Sequence, residues 1–130
     1  MMTQEDKNLL LKDLCARLPY GVKVRIEGDW FYDKREPYDT VLKSEVLGHL
    51  IADRYSVKPY LRPMSSMTKE EEKEYFGYYF FEKNCFANTC GAYKLLEWLN
   101  AHHFDYRGLI EKGLALKAPE GMYEIVQTSI

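Results

Sequence analysis

The chain has 130 residues, of which 46% are hydrophobic, 29% charged and 15% aromatic, including 11 Tyr. This is ordinary globular composition at a common domain size, so one domain over 1–130 can bury a core without disulfides. With 18 basic against 20 acidic residues and a net charge of -2, the chain lacks the basic excess expected of a strong polyanion binder.

The first element is predicted as a helix. Thr3 with Asp6 three residues later forms a weak capping box, and Leu10, Leu11, Leu14 and Leu18 recur at helical spacing until Pro19 and Gly21 end the pattern. Val22, Val24 and Ile26 then alternate with Lys23 and Arg25, the signature of a half-buried strand. Gly28-Asp29 suits a tight turn, with Trp30 and Tyr32 opening a return strand, and the charged stretch 33–37 reads as a loop closed by Pro37. Residues 38–51 are rich in β-branched and apolar side chains, with Gly48 as a bulge or turn between two short strands. Pro59 and Pro63 remove ladder donors, which makes 57–63 an expected edge strand.

The pattern changes at Thr68. Thr68 with Glu71 is a capping box, and three successive glutamates from Glu70 suit a helix first turn. This helix is expected to run to about Phe76, and the run at 78–81 to form a buried strand. A small-residue loop at 84–91 leads into a helix capped by Asn88 or Thr89 and ending near His102 or His103. Its buried edge is read from Leu95, Leu96, Leu99 and His103. Asp105 sits as the cap of a short helix over 106–112, Gly113 as its left-handed terminator, Leu114 to Ala118 as a last strand, and Pro119 to Gly121 as a turn. The expected fold is therefore α+β: a small antiparallel sheet or partly open SH3-like barrel over 22–63, flanked by an N-terminal helix and C-terminal helices.

Two stretches, VKPYLRPMSSMTKEEE at 57–72 and LNAHHFDYRGLIEKGLALKAPEGMY at 99–123, resemble an uncharacterised small protein family of gut bacterial genomes and their prophage-like mobile elements. The resemblance implies a phage or mobile-element setting. It carries no function and assigns no site.

The start, MMTQEDKNLL, lacks the basic-then-apolar order of a secretory signal, and no apolar run reaches the ~20 residues of a membrane span. Three cysteines, Cys15, Cys85 and Cys90, at no disulfide-framework spacing suit a reducing compartment. The expectation is a cytoplasmic protein.

The residues with chemical potential fall into four sets. Cys85, Cys90, His102 and His103 offer zinc-compatible ligands, but adjacent histidines on a helix point ~100° apart and the cysteine spacing is long, so no metal is expected. His102, His103, Asp105, Tyr106 and Arg107 are a dense acid–base set, yet Asp105 reads as a cap and no nucleophile motif accompanies them, so no catalytic residue is assigned. Lys23, Arg25, Lys58 and Arg62 could line a groove for nucleic acid, or simply form a solvated sheet face. The aromatic series around Tyr75, Phe76, Tyr78, Tyr79 and Tyr93 favours Tyr over Phe, which suits a half-wet interface. Tyr75, Tyr78 and Tyr79 are the expected partner-binding residues. The leading expectation is a non-enzymatic, cofactor-free binding or assembly protein acting on a protein partner or on itself as a homo-oligomer. A nucleic-acid-binding accessory protein and a metal-dependent or hydrolytic enzyme around His102 and His103 are the alternatives.

Overall fold

Thr3 caps the first helix as its spacing requires: its hydroxyl accepts from the Asp6 amide at 3.1 Å, and α1 runs Gln4–Arg17. The computed structural model describes residues 2–30, 33–34, 36–84 and 89–123, with backbone alone at 29–30, 33–34, 77–84 and 89–92. One turn of 3₁₀ helix at Leu18–Tyr20 follows, and Gly21 closes it at φ 69°, a left-handed conformation that glycine adopts without a Cβ clash.

Strand β1, Lys23–Glu27, alternates as read, with Val24 and Ile26 buried. The chain does not turn back at Gly28. It continues into β2, Asp29–Trp30, which pairs with β3, Asp33–Lys34, so part of the expected charged loop is strand; Tyr32 lies outside the described residues. Strand β4, Tyr38–Val41, returns antiparallel to β1, with Lys23 opposite Val41 and Ile26 opposite Tyr38.

The second of the two strands expected in 38–51 is instead helix α2, Ser44–Ile51. Val46 and Leu50 are one turn apart and both buried, and this spacing outweighs the β-branched content. Strand β5, Ser56–Leu61, is interior rather than an edge: β1 pairs on one side, and β6, Leu116–Lys117, pairs in parallel on the other. The β6 pairing begins at Tyr60, past Pro59.

These strands form an open, mixed sheet in the order β4-β1-β5-β6. The fold class is α+β; of the two forms expected, small antiparallel sheet or partly open barrel, the described residues form an open sheet, mixed because β6 runs parallel to β5, with β4 and β6 at its edges. Helices α1 and α2 cover one face. Leu10 and Leu14 of α1 meet Val22, Val24, Ile26, Val57 and Leu61 there, each at most 2% exposed. Truncating one such leucine costs about 2–5 kcal/mol.

Helix α3, Lys69–Asn84, starts at the expected box: Thr68 Oγ1 accepts from the Glu71 amide at 3.2 Å, and Glu71 Oε1 accepts from the Thr68 amide at 3.0 Å. It runs through 78–81, where a strand was expected, because the capped, acidic start and packing against α4, Thr89–Ala101, outweigh the ~1 kcal/mol cost of Gly77. Asn88 lies outside the described residues. The buried edge of α4 is Trp98 and Leu99; Leu96, expected inside, is 44% exposed, and His103 lies past the helix end at φ 63°. Trp98, Leu99 and Phe104 form a second core, against which Met64, Met67 and Tyr75 pack.

The expected helix at 106–112 is a series of turns. Asp105 still caps, but its two oxygens accept from the amides of Leu109 at 2.8 Å and Ile110 at 3.0 Å, and Gly108 at φ 71° breaks the helical path between them. Gly113, at φ 74°, is left-handed as read, and the Met122 amide donates to the Pro119 carbonyl in the expected turn.

Candidate functional site

The sheet's outer face carries the basic side chains, because residues opposite one another in antiparallel strands share a face. Arg25 stands across from Asp39 on one side and Lys58 on the other. It is bonded to Glu27 and lies 3.8 Å from Asp39, whose carboxylate also accepts the Tyr60 hydroxyl at 2.8 Å. Lys23 donates to the Met122 carbonyl at 3.0 Å. Arg62 forks onto Glu71 with two bonds of 2.7 and 2.6 Å and lies over the Phe104 ring. Three of the four basic residues expected to line a nucleic-acid groove are thus held by carboxylates or by the closing segment of the chain.

Glu71 is the joint of that region. It is 4% exposed, closes the capping box at Thr68, and receives Arg62 on both oxygens. Burial pushes its pKa up, but the Arg62 fork, the Thr68 amide and His102 outweigh burial and hold it below the usual carboxylate value. His102 Nδ1 lies 3.6 Å from Glu71, and its ring centroid 4.3 Å from that of Trp98; burial lowers its pKa even though Glu71 opposes this. His103 goes elsewhere. Its ring stacks on Tyr123 at 3.8 Å, its buried Nδ1 has no hydrogen-bond partner among the described residues, and burial, with Arg17 next in effect, brings its pKa down to about 4. The two histidines therefore serve different neighbourhoods. Among the described residues no group of three or more His, Cys, Asp and Glu side chains is placed to hold a metal ion. Cys85 and the Cys90 side chain lie outside the described residues, as do the side chains of Tyr78 and Tyr79. Tyr75 is half-buried, 6.2 Å from Trp98, so it serves the second core.

The cluster missed in the sequence is charged and begins on α1. Asp13 and Arg17, one helical turn apart, are both 0% exposed and bonded at 2.7 Å. Arg107 reaches the other Asp13 oxygen at 3.1 Å, and Arg17 also donates to the Phe104 carbonyl at 2.6 Å. Both guanidiniums lie over the Tyr106 ring, 5.2 and 5.0 Å from its centroid. The Tyr106 hydroxyl donates to Asn100 Oδ1 at 2.9 Å and accepts from Arg107 at 3.2 Å. The signal was present: Asp13 and Arg17 fall three and seven residues after Leu10, on the buried face of the helix.

Beside this network lies a groove of about 280 Å³ between the end of α1 and the outer side of α4. Pro19, Tyr20, Tyr93 and Leu96 supply its aromatic and apolar walls; Asn100, Tyr106 and Arg107 supply polar groups, and Glu97 also lines it. Tyr93 is 64% exposed. Burial raises the Tyr20 pKa, and the Glu97 carboxylate raises it further. The groove thus combines apolar walls with a few convergent polar groups, a combination common among binding clefts. The chain matches no protein-family model, no curated protein and no solved structure.

Proposed function

We propose that this chain is a non-enzymatic binding protein acting through protein–protein contacts, in the phage or prophage-like setting that the resemblance implies. The observation that carries this reading is the outer side of α4, where exposed Tyr93 and Leu96 border a groove with a polar floor. Tyrosine beside apolar surface and a buried arginine network is the chemistry of an interface hot spot. The acid–base side chains support the same reading from the other direction: Asp105 is spent on two backbone amides, and Glu71 on Arg62 and a helix cap.

A second copy of the chain is the partner to test first, since a homodimer requires only one self-complementary patch. Native mass spectrometry of the wild type is expected to give an assembly above the 15.4 kDa monomer. Tyr93→Asp and Leu96→Asp each move it toward the monomer, with unchanged far-ultraviolet circular dichroism. A wild type that stays monomeric, or variants that assemble as the wild type does, rules out this face as a self-interface.

A further inference from the structure

The groove beside α4 is lined by two donor-bearing side chains, Arg107 and Asn100, that the network around Asp13 and Tyr106 uses only in part. Arg107 uses Nε on Asp13 and Nη2 on Tyr106, and its Nη1 makes no hydrogen bond among the described residues. Asn100 is 6% exposed; its Oδ1 is taken by Tyr106, so its Nδ2 donor is what remains to face a ligand. Beneath them, Arg17 and Arg107 share the single carboxylate of Asp13, which leaves one net positive charge among the three, with Asp13 and Arg17 fully buried and the Arg107 side chain 20% exposed. A guanidinium and an amide converging in a partly desolvated site select a carboxylate, because a charge-assisted bond there is roughly twice as strong as a neutral one.

We propose that the groove binds the carboxylate of an acidic side chain presented by a protein partner. Nη1 of Arg107 and Nδ2 of Asn100 hold its oxygens, and its aliphatic stem lies against Tyr20, Tyr93 and Leu96. Glu97 decides the source of the carboxylate. As a like charge in the same groove it repels a small free diacid, whereas a polypeptide can bring a backbone amide or a basic neighbour to meet it. This inference rests on the protein-binding reading and specifies what the partner must carry.

The test is titration of the full chain, followed by nuclear magnetic resonance of the Arg107 guanidinium and Asn100 side-chain amide. Three probes are compared: N-acetyl-glutamate N-methylamide, the corresponding glutamine compound, and free glutarate. The glutamate probe is expected to bind at least ~5-fold more tightly than either of the others. Glu97→Gln tightens glutarate by a few-fold, and Arg107→Gln abolishes the preference for glutamate over glutamine. Because Arg107→Gln also disturbs Asp13, Tyr93→Ala supplies a variant at an exposed position, expected to weaken the glutamate probe several-fold. Equal binding of the glutamate and glutamine probes overturns the carboxylate assignment; tighter binding of glutarate overturns the polypeptide source. Loss of assembly in Leu96→Asp without any carboxylate preference leaves the interface standing and removes this inference alone.

Discussion

His103 carries two costs at once. Its backbone is left-handed, and its buried Nδ1 lacks a partner among the described residues, an omission worth about 1–3 kcal/mol. It also stays neutral in the fold, with a pKa near 4 against 6.5 when unfolded. The unfolded chain therefore binds a proton that the folded chain refuses, so stability is full above pH 6.5 and falls as pH drops from there toward 4. His102 acts in the same direction, and Glu71, held below 4.5, adds its own loss in more acid solution. His103→Asn keeps a residue that tolerates the left-handed region and removes the titration. Its urea midpoint is expected to fall less than that of the wild type between pH 7 and 4.5, by an amount equivalent to about 2 kcal/mol. Identical slopes for the two proteins would exclude His103 as the sensing group.

Helix α2 shows how an element can form against its own composition. Its eight residues include Gly48 at mid-length, a position that costs about 1 kcal/mol relative to alanine in an exposed helix. The helix survives because Val46 and Leu50 fill the space beside β1 and β5. Gly48 is exposed, and a Cβ placed on it would meet nothing within 4 Å. Gly48→Ala should therefore stabilise the protein by about 0.5–1 kcal/mol and raise Tm by a few degrees in a thermal melt. A lower Tm would mean that the α2 backbone is not helical at this position. The turns at 105–113 make the opposite point: Asp105 and Gly113 carry sound cap and stop chemistry, yet Gly108 turns left-handed and no helix forms between them.

Across the whole molecule, the Asp13 network joins parts of the chain far apart in sequence. It connects the face of α1 to the segment at 104–107, between the sheet core and the α3–α4 core. Removing one member of a buried charge cluster strands the others, so Asp13→Ala is expected to cost about 3–5 kcal/mol in urea unfolding. Adding Arg17→Met should recover part of that loss, because one stranded guanidinium then becomes an apolar side chain. A single-variant cost below ~1 kcal/mol would show that water, rather than Asp13, serves these guanidiniums.

The sequence by itself determined what depends on neighbours a few residues away. The Thr3 and Thr68 caps, the alternation through Val22, Val24 and Ile26, the left-handed stops at Gly21 and Gly113 and the α+β class all follow from local hydrogen bonding and side-chain period. Tertiary structure decided the rest. Pro59 reads locally as an edge residue, but the chain after α4 returns to lay β6 beside β5 and makes it interior. Leu96 reads as core, yet α3 and Phe104 pack on the neighbouring face of α4 and leave it outside. The groove at Arg107 lay out of reach for the same reason. Its floor depends on an ion pair that spans 94 positions, and no local pattern records which distant charge will fill a buried carboxylate.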